Sequence, residues 1–116
     1  AKGKGGDQIA PAVTKAIAYI DENYMKQPGL ESISKAAGVS SQHLCRLFRQ
    51  TLNCRPMEYI TKRKIQAAKM LLAETQKTVE QIAEETGFCD SSYFCKIFKR
   101  FESITPSQFR NAEQVL

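Results

Sequence analysis

The chain has 116 residues, 42% hydrophobic and 25% charged, with a net charge of +5. That is the composition of an ordinary globular protein, long enough to bury a core without disulfide or metal staples, and its basic balance favours a polyanionic partner without proving one. No apolar run approaches the roughly eighteen residues that a membrane-crossing helix needs and no signal-peptide pattern opens the chain, so no membrane partner and a cytoplasmic location are expected.

Residues 1–8, AKGKGGDQ, are Gly- and Lys-rich and read as a linker or an expression remnant; the start without methionine points to a fragment of a longer protein. Ile9, Val13, Ala16, Ile17, Ile20 and Tyr24 then trace one face of a first helix that Gln27-Pro28-Gly29 should end. Leu30 to Ala37 reads as a short second helix, followed by Gly38, the residue type that most cheaply takes a left-handed turn. Ser40 is the N-cap candidate for a helix over Ser41 to Leu52, with Leu44, Leu47 and Phe48 as its buried face.

Pro56 to Thr75 is the longest periodic stretch. Met57, Ile60, Ala67, Ala68 and Leu71, widened by Ile65 and Leu72, form an apolar stripe that leaves Lys62, Arg63, Lys64 and Lys69 largely outside it. A helix of about twenty residues makes a rod of roughly 30 Å, close to the roughly 34 Å of one turn of duplex DNA. Next, Thr78 and Gln81 form a capping box for a helix over Val79 to Thr86, closed by Gly87. Asp90 caps a helix over Ser91 to Phe101, buried through Phe94, Ile97 and Phe98. Thr105-Pro106-Ser107-Gln108 is a second capping box, opening a last helix that runs to about Gln114.

The chain repeats itself. Ile33 to Val39 lies over Ile82 to Phe88 and, after one inserted residue, Cys89, Ser40 to Arg49 lies over Asp90 to Lys99; Pro56 matches Pro106 and Tyr59 matches Phe109. Two copies are too few for a solenoid. The expected architecture is all-α, with about seven helices: a first helix-turn-helix lobe over 9–54, a linker helix over 55–75 and a second lobe over 76–116.

The outward faces of the two later helices carry Gln42, Cys45, Arg46 and Arg49, and Ser92, Cys95, Lys96 and Lys99, with no carboxylate inside either helix before Glu102. A helix that reads DNA must offer donors to base edges and cations to phosphates, and a carboxylate there would be repelled. The rival class is a helical protein-interaction module that never touches DNA, whose binding would lack the steep salt dependence of phosphate contacts. The four cysteines, Cys45, Cys54, Cys89 and Cys95, include no C-x-x-C pair, and His43 stands at no zinc-finger spacing from them. Free thiols in a reducing compartment, no metal and no cofactor are the expectation. One histidine and no nucleophile–base grouping argue against an enzyme, and a redox role for Cys45 or Cys95 would need a lowered thiol pKa.

The second lobe, from Gln81-Ile82-Ala83 through Gly87-Phe88, Tyr93-Phe94 and Phe98-Lys99 to Thr105-Pro106-Ser107-Gln108-Phe109-Arg110, resembles the AraC/XylS family of bacterial transcription regulators. Ala36-Ala37-Gly38-Val39-Ser40, and Arg63 with Ala67-Ala68 and Leu71-Leu72, are similar to the same family, so the resemblance covers about Ile9 to Arg110. It implies seven helices and two recognition helices entering successive major grooves on one side of an asymmetric site. It also implies transcription regulation, more often activation than repression, through contact with RNA polymerase, and coupling to an effector or dimerisation domain absent from this fragment. Family members that repair alkylated DNA carry additional cysteine-bearing modules not visible here.

Carried over by position, base contacts fall on Gln42, Cys45 and Arg46 and on Ser91, Ser92, Cys95 and Lys96; phosphate contacts fall on Ser40, Ser41, Arg49, Lys99 and Arg100. Arg63 would brace the linker helix. The chain departs from the family in having Ser103, and Asn53 at the equivalent place in the first lobe, where glycine is common; asparagine takes left-handed backbone more readily than serine.

Overall fold

The structure, a computed structural model, describes residues 10–114, so the linker reading of 1–8 and the place of Ile9 on the first helix lie outside the described residues. Among the described residues there are seven α-helices and no strand: α1 Pro11–Asn23, α2 Leu30–Ala37, α3 Ser41–Leu52, α4 Pro56–Glu74, α5 Val79–Glu85, α6 Ser91–Glu102 and α7 Pro106–Gln114, with a 3-10 turn over Tyr24–Lys26. They fall into two compact units. Among the described residues, one takes in 10–23 together with Pro28–Tyr59; the other takes in Tyr24–Gln27 together with 60–114.

In the first unit α1, α2 and α3 pack on one another. Val13, Ala16 and Ile20 of α1, Ile33 of α2, and Leu44 and Phe48 of α3 are fully buried. Ala12 joins them, whereas Ile17 and Leu47 are only half-buried. Tyr24 lies beyond the end of α1, on the 3-10 turn that belongs to the other unit, so the face expected of the first helix is one residue shorter at its C-terminus. Gln27, at φ 55°, ends that turn in left-handed backbone just before Pro28.

The second unit is built around Ile65, Ala68 and Leu72 of α4, Ile82 and Ala83 of α5, Phe88, and Phe94, Ile97 and Phe98 of α6. Its aromatic rings form a chain: Phe88 to Phe94 at 5.0 Å, Phe94 to Phe98 at 5.7 Å and Phe98 to Phe109 at 5.7 Å between centroids. Such offset and edge-to-face pairs add to plain area burial. The stripe on α4 differs from its expected form at one end. Met57, on the first turn, is 43% exposed, because the periodicity runs past the end of the core it serves.

Three of the four cations placed outside that stripe, Arg63, Lys64 and Lys69, are in fact half-buried. Lys64 donates from Nζ to the carbonyl of Gly87 at 2.9 Å and lies 5.2 Å from the centre of the Phe88 ring. Lys69 pairs with Glu102 at 3.1 Å and lies 5.7 Å from the Phe109 ring. The aliphatic stems of these two lysines cover apolar surface while the charge reaches a polar partner, which a count of charges by position does not reveal. Arg63 stacks its guanidinium over the Tyr24 ring at 4.8 Å, inside the second unit.

Candidate nucleic-acid interface

The first candidate recognition helix is α3, and its start is set by the turn before it. Gly38 takes φ 77°, and its N–H reaches the carbonyls of Ser34 and Lys35 while that of Val39 reaches Ser34 at 3.2 Å. These bonds satisfy the end of α2 and swing the chain into the next helix. Ser34 is buried; its hydroxyl bonds the Glu31 carbonyl at 3.0 Å and lies 3.1 Å from the hydroxyl of Ser41, tying α2 to the first turn of α3. The Ser40 hydroxyl accepts from the His43 N–H at 3.1 Å, as an N-cap does.

With Leu44 and Phe48 fully buried, the opposite side of α3 leaves Gln42, His43, Arg46 and Arg49 exposed, and Ser41 and Cys45 half-buried at its edge. Phe48 packs edge-on against Tyr59 at 5.9 Å. An open cleft of about 630 Å³ beside α3 brings Arg46, Arg49 and Arg55 to one rim. None of these three guanidinium groups makes an ion pair among the described residues. The helix ends at Asn53 with φ 58°.

The second candidate recognition helix is α6. The capping box before α5 forms in full: the Thr78 N–H reaches the Gln81 side chain at 2.9 Å and the Gln81 N–H reaches the Thr78 hydroxyl at 3.0 Å. Thr86, expected as the last residue of that helix, is its C-cap instead, 1% exposed, with its hydroxyl on the Ile82 carbonyl at 2.7 Å. Gly87 follows at φ 85°, and a Cβ added there would stand 2.8 Å from the backbone of Met25. The Asp90 carboxylate accepts from the Tyr93 N–H at 2.7 Å and starts α6.

Along α6, Phe94, Ile97 and Phe98 are buried while Ser92, Tyr93, Lys96, Lys99 and Arg100 are exposed and Ser91 and Cys95 half-buried. The burial pattern from Ser41 to Arg49 thus recurs from Ser91 to Lys99, with Ile97 more buried than Leu47 as the one difference. Burial pushes the Cys95 thiol pKa up, and the Glu80 carboxylate adds to the rise. Burial lowers the pKa of Lys64, partly offset by Cys89. The helix closes at Ser103, which does adopt left-handed backbone at φ 72°.

Three contributors escaped the sequence reading. Lys64 holds the Gly87 carbonyl, and only its position one helical turn from Ala68 hinted at burial. Arg110 donates from Nε to the Leu72 carbonyl at 3.0 Å and from Nη2 to that of Thr75 at 3.1 Å, closing the end of α4 from α7; no local pattern signals a contact across that separation. Tyr93 is 48% exposed, and its place as an aromatic outside the i, i+3, i+4 core positions of α6 is the signal that could have found it. Among the described residues no group of His, Cys, Asp and Glu is arranged to hold a metal ion, and no helix is long and apolar enough to cross a membrane.

Comparison with known proteins fits this arrangement. The sequence pattern of a helix-turn-helix domain family matches residues 33–112. The lactose operon transcription activator of Staphylococcus xylosus is 30% identical over 105 residues, covering 90% of this chain and 38% of that protein. The bifunctional transcriptional activator/DNA repair enzyme AdaA of Bacillus subtilis is 32% identical over 97 residues, 84% of this chain and 46% of that protein. The chain therefore spans less than half the length of either relative. A crystal structure from Chromobacterium violaceum, of a transcriptional regulator with an AraC-type DNA-binding domain, superposes with a TM-score of 0.85 at 29% identity, covering 90% of this chain and 93% of that one.

Proposed function

Because the chain belongs to the AraC/XylS family of helix-turn-helix transcription regulators, we propose that it binds double-stranded DNA sequence-specifically, with α3 and α6 each entering a major groove, in successive grooves. The observation that carries this reading is the shared register of the two helices, which puts every cation of both on the exposed side. Gln42, Cys45 and Arg46 of α3, and Ser91, Ser92, Cys95 and Lys96 of α6, are assigned to base edges. Ser40, Ser41, Arg49, Lys99 and Arg100 are assigned to phosphates. Ser40 is already engaged as a helix cap, so its part is to aim the N-terminus of α3, with its own hydroxyl shared between cap and phosphate.

Arg46 is the strongest candidate for a directional contact, since a guanidinium can engage guanine O6 and N7 together. α6 offers serine, a thiol and an ammonium, which direct fewer hydrogen bonds, so α6 should read sequence less stringently. Within a whole regulator, the domain would act in the cytoplasm and promote transcription by contact with RNA polymerase, with an effector or dimerisation domain elsewhere in the protein. We assign it no catalytic step; the repair activity in the name of the Bacillus subtilis relative is that protein's own.

The test is selection of bound duplexes from a randomised pool of about thirty base pairs at two salt concentrations. The expected result is two enriched boxes about 10 to 11 base pairs apart, weakening as salt rises. Arg46→Ala should cost about 1–3 kcal/mol and relax one position, whereas Lys99→Ala should weaken all duplexes evenly and lower the salt slope by about one. Absence of enrichment at both salts would leave the protein-interaction module as the surviving reading.

A further inference from the structure

Tyr93, in the first turn of α6, and Phe101, in its last, are the two exposed aromatic residues of that helix to which the function proposed above gives no part. Tyr93 is the one at the N-terminal end. It is 48% exposed, in the first turn of the helix, where a large ring in water is unfavourable unless something covers it. Its position is nevertheless well determined. Its N–H is held by the Asp90 carboxylate at 2.7 Å, and its ring lies 6.2 Å from that of Phe88, tilted at 56°. Phe88 is only 6% exposed and is itself braced 5.0 Å from Phe94. The ring therefore stands on the core at its base and faces outward beyond it.

Its neighbours define what it could touch. Lys96 is three residues on and shares its face, and Ser92 precedes it. Helical side chains lean toward the N-terminus, the end of a recognition helix whose residues meet base edges. In the major groove the one apolar group on any base edge is the C5-methyl of thymine. On a helix whose other groove-facing side chains are serines, a thiol and an ammonium, which direct few hydrogen bonds, an apolar contact supplies discrimination that hydrogen bonds there do not.

We propose that Tyr93 is a specificity-determining residue whose ring packs on the C5-methyl group of a thymine in the box read by α6. The inference rests on the DNA-binding reading, and the experiment separates the two. The duplex enriched by the wild-type chain is remade with each thymine replaced singly by deoxyuridine, which lacks only that methyl group. One replacement, in the box read by α6, should weaken wild-type binding about fourfold, the worth of one buried methyl-sized group. Tyr93→Ala should bind the parent and that variant duplex equally, while Tyr93→Phe, which keeps the ring, should preserve the difference. The box read by α3 should be read unchanged by both variants, which also shows that they are folded. If no thymine in the α6 box is sensitive, or if Tyr93→Ala keeps the same penalty, this inference fails and the DNA-binding reading stands. If the wild-type chain enriches no duplex, both fail.

Discussion

The two helix-turn-helix segments follow one register but are held by different physics. In the first, the turn is open: Gly38 has φ 77°, and a Cβ built on it would meet nothing within 4 Å. Its α2 begins at Gly29 with no side-chain cap, and the link across the turn is a pair of serine hydroxyls, Ser34 and Ser41. In the second, Gly87 presses on the backbone of Met25, Lys64 takes its carbonyl, Thr86 is buried beside it and a complete capping box starts the helix. Glycine is thus needed for its backbone freedom alone in one turn, and for both that freedom and its lack of a side chain in the other. A shared motif does not imply shared reasons for its residues.

The largest expected effect tests that distinction directly. Gly38→Ala should cost about 1–2 kcal/mol, the strain of a left-handed alanine. Gly87→Ala carries the same strain and adds a clash with backbone, which cannot swing aside as a side chain end could. Overpacking of this kind typically costs a further 1–3 kcal/mol, so a total of about 3 kcal/mol is expected, read as a lower midpoint in urea unfolding. Equal losses for the two variants would mean that the segment around Met25 yields, and that the second turn is no tighter than the first.

The contrast between the turns also marks how far the sequence could be read. Helix starts at Ser41, Val79, Ser91 and Pro106 were legible because the signals are local: Ser40, Thr78, Asp90 and Thr105 each bond a backbone N–H three residues on. The repeat placed Phe48 over Phe98 and the exposed Gln42 and Arg46 over Ser92 and Lys96, so the alternation of buried and outward positions on α3 and α6 was visible from residue order alone. Contacts between distant segments were not. Nothing near Gly87 in sequence announces Met25, 62 residues earlier, as its neighbour, since a φ preference is a property of the residue but a steric wall belongs to the fold. Likewise the cations of α4 were legible as charges, while the burial of the Lys64 stem depends on where Phe88 lies.

The caps offer a second, smaller way to sharpen the comparison, because here the first segment can be made to resemble the second. Thr78→Ala removes one side of the capping box and should destabilise by about 1 kcal/mol. Gly29 has the extended backbone of an N-cap, φ −85° and ψ 168°, with open space around a built Cβ. Gly29→Asp should therefore stabilise by about 0.5–1 kcal/mol, through a new acceptor for the free N–H groups of α2 and a less flexible unfolded chain. The same denaturation measurement reads both. A neutral or destabilising Gly29→Asp would show that the start of α2 is limited by something other than its missing cap.

The smallest effect concerns the paired cysteines at one register position, Cys45 on α3 and Cys95 on α6, both half-buried. The Cys95 thiol is pushed up first by desolvation and then by the Glu80 carboxylate. Since only the thiolate reacts, alkylation of Cys95 by iodoacetamide should be slow near neutral pH and should still be climbing at a pH where an exposed model thiol has levelled off. Removing the negative charge makes the thiolate easier to form, so Glu80→Gln should raise the Cys95 rate at fixed pH, though less than exposing the thiol would, since burial is the larger cause. Glu80 belongs to the second unit and Cys45 to the first, and the Cys45 rate should not change. If Glu80→Gln accelerated both sites alike, the effect would report a general loosening of the chain, and the two helices would differ less in local electrostatics than their packing implies.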